Sequence, residues 1–402
     1  MPPLEHAQAQ PLALLFSAPF AAPAAPAAAA PARNQATWRP PARPPSFLQA
    51  ARAMSTPDNP LPLAKQIKFF LRACLHPWKT RAWLNRLSQP DLAPVFREQP
   101  RLALKPFHAC INYKWTPAER RALLEDHYEI IPRLIAPEIL ARACRDGHDL
   151  LHIVNTATGR RLTLRLLCRE QFSREGELAL NLRDTATSLP LANIAFSVGY
   201  DKHDALRVYI GGLQAVRDPR VRDLIHDHAK ELHGLRAKAL LLWTLQQLAH
   251  RWGAASIYAV DDAHHPASHR NRRQKIFSSY DEFWAESEGG HMPDGFWRLP
   301  LAPRQRARDE LKPNKRRQYE RRYALLAALR ETLHTAIARC APANTRDDDD
   351  NNSNDNHDNT RAPVEFHHNT PAPLTPAATP TAASPADAHA HAARSRMHPA
   401  HC

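Results

Sequence analysis

The chain has 402 residues, a formal net charge of +14 and a pI of about 9.8. No apolar run approaches the ~18 residues of a membrane span, and none of the six cysteines stands in a CxxC pair, which excludes a zinc signature and a disulfide framework. The basic balance, carried mostly by arginine, favours anionic partners instead.

Residues 1–62 are rich in Ala and Pro and are expected to be disordered. LALLFSAPFAAPAAPAAAAPA looks superficially like a signal peptide, but MPPLEHAQAQ before it has no Lys or Arg. Secretion is therefore not expected, and a cytoplasmic location is. Met54 opens MSTPDNPLPLAKQIKFFLRA, which reads as a natural start of translation. From 63 to 145 apolar residues recur at three-to-four spacing, which predicts a helical region. Thr116-Pro117-Ala118-Glu119 is a capping box with Pro at the first helical position. The single aromatics Phe69, Trp78, Trp83, Trp115 and Tyr128 are expected in packing between helices.

Residues 146–340 read as the α+β part. LLHIVNT and RLTLRLLCRE, joined through Ala157-Thr158-Gly159, predict a hairpin, and GELALNLRD, LPLANIAFSV and ALRVYIGG continue an antiparallel run. Leu206–Asp262 then reads strand, helix, turn, helix, strand. Asp218 and Pro219 open the first helix, Gly234 interrupts, and Arg236–Trp252 forms the second. A crossover of this length lets its two strands lie parallel. HRNRRQKIFSSYDEFWAES predicts a helix, FWRLPL a last strand, and a long helix starts at Pro313. Residues 341–402, with DDDDNNSNDN and scattered His, are expected to be disordered. The fold class is thus α+β, with a mixed, mainly antiparallel sheet and crossover helices.

Four places offer chemistry. Gly211-Gly212 inside a strand marks either a simple bend or a bulge where a ligand meets free backbone amides. His233-Gly234-Leu235-Arg236, with Lys238, opens a helix and suits a phosphate, or is a helix corner with a solvated arginine. Lys315, Arg316, Arg317, Tyr319, Arg321 and Arg322 lie in a stretch, 270–323, of net charge +6. They read as an anion-binding surface for nucleic acid or anionic lipid, or as a solvated helix. Asp261, Asp262, His264 and His265 follow the last crossover strand, where ligand crevices form in open sheets. Asp261 or His264 there, or Glu175 in the turn before GELALNL, is a candidate base, and Tyr280 a candidate acid. No metal site is expected.

REGELALNL (174–182), YIGGLQ (209–214), LHGLR (232–236), AVDDAHH (259–265), YDEFW (280–284) and KPNKRRQYERRYALL (312–326) together resemble the VirK/YbjX-like family of bacterial proteins. HPWKTRAWLNRL (76–87) extends the likeness, which covers roughly 63–330. Ala215 and Ala237 depart from the family's expected glycine and proline. The resemblance implies a link to virulence, envelope remodelling, antimicrobial-peptide resistance or the DNA-damage response, without an established activity. The element order is also similar to the GNAT acyltransferases. That likeness implies coenzyme A or acyl-coenzyme A as ligand, with Gly211, Gly212, Leu213 and Gln214 along the pantetheine and Gly234 to Ala237 at the pyrophosphate. The extra helix at 219–231 and the single glycine of the phosphate motif depart from it.

Overall fold

The computed structural model describes residues 43–57, 59–108, 110–155, 158–168, 172–216, 219–267, 279–343 and 364–366. Six helices come first: α1 (Phe47–Ala53), α2 (Leu63–Leu75), α3 (Pro77–Leu87), α4 (Ala93–Glu98), α5 (Pro117–Leu134) and α6 (Pro137–Arg145). A 3-10 segment, Pro100–Phe107, lies between α4 and α5. The capping box at Thr116 and Glu119 forms as the sequence predicts. A second box, Ser46 with Gln49, starts α1 inside the stretch expected to be disordered. Ala50, Ala51 and Met54 are buried with Phe69, Ala73 and Leu84, so helix formation there is driven by burial. A chain begun at Met54 would lose this packed helix. Trp78 is not in packing at all: it is 87% exposed.

The sheet follows with β1 (His148–Asn155), β2 (Arg161–Leu167), β3 (Leu178–Asp184), β4 (Pro190–Tyr200) and β5 (Leu206–Ala215). After α7 (Pro219–Glu231) and α8 (Ala237–Arg251) come β6 (Ser256–Val260), α9 (Tyr280–Glu286), β7 (Gly290–His291), β8 (Phe296–Leu299) and α10 (Pro313–Cys340). The strand order is β7-β8-β6-β5-β4-β3-β2-β1-β9, where β9 is Val364–Phe366. All pairs are antiparallel except β5 with β6 and β1 with β9. The fold is therefore α+β with a mixed, mainly antiparallel sheet.

Two further expectations need correction. The helix read into HRNRRQKIFSSYDEFWAES starts at Tyr280, because Ser279 is extended and its side chain caps the Glu282 amide. Residues 268–278 of that stretch, like Asp218, lie outside the described residues. Within the tail expected to be disordered, Val364–Phe366 pairs with Ile153–Asn155.

Both sheet faces are covered, which explains the nearly continuous burial of β3 and β4. Trp252, at the end of α8, packs on Phe196 of β4. Leu325, Leu329, Leu333 and Ile337 form the buried seam of α10. β4 also runs past the start of β3, leaving amides without a ladder partner. α5 supplies acceptors: Val198 donates to His127 Nδ1 at 3.1 Å and Tyr200 to Asp126 at 3.0 Å. Burial, helped by the charge of Lys105, pushes the His127 pKa down to about 3. It stays neutral, as an accepting ring nitrogen must.

Candidate functional site

The Gly211-Gly212 pair makes a bulge. Ala195 pairs with Gly212 and Phe196 with Ile210, so Gly211 is the extra residue. The parallel ladder to β6 covers only Arg207–Ile210, while β5 continues to Ala215 on β4 alone. The two parallel strands therefore part company at the bulge. The turn before β3 crosses β4 and lands there. Gly176 lies on the backbone of Phe196, the Glu175 carbonyl occupies the space of a Cβ on Gly211, and the Glu175 carboxylate that of a Cβ on Gly212. A side chain at 211 would meet the Glu175 backbone and one at 212 its carboxylate, which gives the glycine pair its physical reason.

Glu175 is enclosed, its side chain only 14% exposed. Gln214 Nε2 donates to its Oε1 at 2.6 Å, and His265 Nε2 lies 3.7 Å from the same oxygen. Burial raises the Glu175 pKa to about 7, against the lowering effect of Gln214. His265 Nδ1 accepts from the Ala267 amide at 3.2 Å, which places the proton of the neutral ring on Nε2. That Nε2 is buried and faces the Gly211 backbone. Burial holds the His265 pKa at about 4, although the Asp262 charge and the Gly211 backbone favour the charged ring. Tyr280 packs on His265, ring centroids 5.1 Å apart, and stacks on Trp284 at 6.1 Å. Its hydroxyl interacts with the Leu213 backbone and the Gln214 side chain; burial, then the Glu175 charge, push its pKa up.

Asp262 sets this geometry by holding the start of α9. It accepts from Ser279 Oγ at 2.7 Å and from the Tyr280 amide at 2.9 Å. Asp281 of the same turn accepts from Trp297 Nε1 at 2.8 Å, and Trp284 Nε1 donates to the Val260 carbonyl at 3.0 Å.

Of the four acid–base candidates, Glu175 and Tyr280 share this cluster. Asp261 and His264 form a separate one. His264 Nδ1 lies 2.7 Å from Asp261 Oδ1, and His291 Nε2 3.3 Å from Oδ2. The His264 ring fills the space beside Gly295, whose φ of +83° requires glycine. His265 is the neighbour of Glu175. No group of three or more His, Cys, Asp or Glu suited to a metal occurs among the described residues.

The helix-start set reaches the cluster through α9. Arg236 pairs with Glu286 at 3.2 Å, and Lys238 lies over the Phe283 ring at 5.8 Å. His233 and Gly234 both have positive φ. Gln318 and Arg322 of α10 cover Gly234, and Arg322 donates to the His233 carbonyl from Nε at 3.2 Å and Nη2 at 3.0 Å. Coenzyme A does not fit here as the side chains stand. Tyr280 occupies the Leu213 edge of β5, Glu175 the glycine face, and α10 the Gly234 turn.

The α10 cations are partly spent on the chain itself. Arg316 Nε donates to the Arg308 and Leu311 carbonyls at 3.0 and 3.3 Å, and Lys315 to Gln318 at 3.2 Å. Arg322 also stacks over Tyr319 at 4.3 Å. Arg317 remains exposed and Arg321 half-buried.

The chain belongs to the family described as "Protein of unknown function (DUF535)", which it matches over residues 62–335. It is 26% identical to the "Uncharacterized protein YbjX" of Escherichia coli K12 over 272 residues, 67% of this chain and 82% of that protein. An "Uncharacterized protein" of Haemophilus influenzae is 26% identical over 193 residues, 48% of this chain and 64% of its own. The VirK/YbjX-like resemblance read from the motifs is thereby shown. No described helix is long and apolar enough to cross a membrane.

Proposed function

We propose that the β5 bulge is the acid–base centre of a GNAT-like acyltransferase, with Glu175 as general base. The observation that carries this is an enclosed carboxylate, its pKa raised to about 7 by burial, at the point where two parallel strands separate. A base works best when its pKa lies near the working pH. The antiparallel meander, bulged β5, crossover and parallel β6 support the same reading.

Glu175 takes a proton from an ammonium acceptor, and the freed amine attacks an acyl carbonyl. The N–C bond forms, the bond to the leaving group breaks, and the nitrogen sheds its second proton to solvent as the amide forms. Tyr280, kept protonated by burial, gives that group its proton and regains one from Glu175. Acyl-coenzyme A enters only as a donor class, because His265 and Tyr280 fill the β5 edge and only its acyl end is asked to reach Tyr280. An amine acceptor in the envelope would join this chemistry to the envelope remodelling implied by the resemblance.

The test is thiol release from acetyl- and longer acyl-coenzyme A with polyamine acceptors. Glu175→Gln should lower kcat by ~10²–10⁴-fold and remove a rising limb near pH 7. No turnover and no thermal shift with any acyl-coenzyme A would remove the proposal.

A further inference from the structure

α2 is apolar on two sides, and only one of them is used. Phe69 and Ala73 face the core, where they pack with Ala50, Ala51 and Met54 of the α1 region, and Phe69 meets Phe107 edge-on at 6.0 Å. On the adjoining face Leu63, Ile67, Phe70, Leu71 and Leu75 recur at helical spacing, all exposed. Leu75 is 74% and Leu63 68% exposed, and Trp78 at the start of α3 extends the stripe. A contiguous apolar patch of this kind on a soluble surface marks a contact site.

Its setting names the partner. Residues 63–81 carry Lys65, Lys68, Arg72, Lys79 and Arg81 and no acidic residue. A second copy brought onto this face would set cation against cation. A nucleic acid would leave the leucines and Trp78 without use. An anionic lipid surface satisfies both parts: leucine and tryptophan enter the headgroup boundary while lysine and arginine stay among the phosphates. α2 has 13 residues, about 20 Å of helix. That is too short to span a bilayer and suits a helix lying in its plane.

We infer that the exposed face of α2 and Trp78 docks this protein on anionic lipid bilayers. The inference is independent of the acyl-transfer reading, since no residue is shared. The experiment is flotation of the full chain with vesicles of phosphatidylcholine alone or mixed with phosphatidylglycerol. Binding is expected on the mixed vesicles, weakening as salt rises. Leu71→Asp with Leu75→Asp should lower it by ~10-fold or more at a nearly unchanged melting temperature, because these side chains are 56% and 74% exposed. Trp78→Phe should bind nearly as wild type but lose part of the blue shift in emission on binding. No flotation, or flotation unchanged in the aspartate variant, would overturn the assignment. So would a wild-type dimer by light scattering that Leu71→Asp with Leu75→Asp returns to monomer.

Discussion

Glu175 and Glu177 stand two residues apart in one turn and meet opposite fates. Glu177 goes down into the protein, its side chain 3% exposed, and pairs with Lys105 Nζ at 2.8 Å, itself 8% exposed. Tyr128 adds a hydroxyl donor at 2.8 Å. Glu175 turns onto the β5 bulge, where its neighbours are an amide, a neutral histidine and a protonated tyrosine. A buried carboxylate with a cation beside it is a structural clamp. One without a cation is driven towards the proton, and so towards chemistry. The pairing, not the burial, separates the two.

The largest effect should come from breaking the clamp. Lys105→Met leaves Glu177 buried and unpaired, and chemical denaturation should show a loss of about 3–5 kcal/mol. If instead the loss is negligible, the distinction between the two glutamates fails.

Next in size is the pH dependence of Glu175. Its folded pKa of about 7 exceeds the ordinary 4.5. Its contribution is therefore fully present below about pH 4.5 and declines as pH rises to 7, by up to about 3 kcal/mol. His265 has the opposite sign: with a folded pKa of about 4 against 6.5, it stabilises above pH 6.5 and is lost as pH falls to 4. The two slopes oppose each other between pH 4.5 and 6.5, so the wild type alone hides both. Denaturation of Glu175→Gln beside wild type should show the variant gaining steadily on it from pH 4.5 to 7. A constant difference would mean that Glu175 titrates normally.

Smaller effects should come from the glycines. Gly211→Ala meets the Glu175 backbone, which cannot rotate away, and should cost about 1–3 kcal/mol. Gly212→Ala meets only the carboxylate end, and thermal unfolding should show the lesser loss. Equal losses would indicate that the bulge, not contact with Glu175, requires glycine.

What could be read in the sequence was local. Thr116 to Glu119 announced α5, alternation announced β1 to β5, and Gly211-Gly212 announced an irregular strand. Glu175 was visible as a carboxylate in a turn, yet nothing local set it on a glycine pair two strands away. Lys105 and Glu177 are 72 residues apart, beyond any periodicity. His265 was masked by its neighbour, because a strand's end does not say which of two adjacent side chains turns inward. α1 was hidden by its Ala/Pro-rich surroundings, since its helicity rests on burial rather than propensity. Trp78 misled for the converse reason, as aromatic residues are usually buried.

The position of α10 in the chain has a cost during synthesis. This helix is the last long element among the described residues, yet its leucine seam packs on β1 and α8, which emerge from the ribosome far earlier. Its last residue also receives the Ala136 amide, at 2.8 Å, from the junction of α5 and α6. Until about residue 340 has been translated, an apolar stretch of sheet and helix waits uncovered, open to aggregation or to a chaperone. A nascent chain halted before Leu325 should therefore be trapped by such holdases, and release should follow synthesis of the seam.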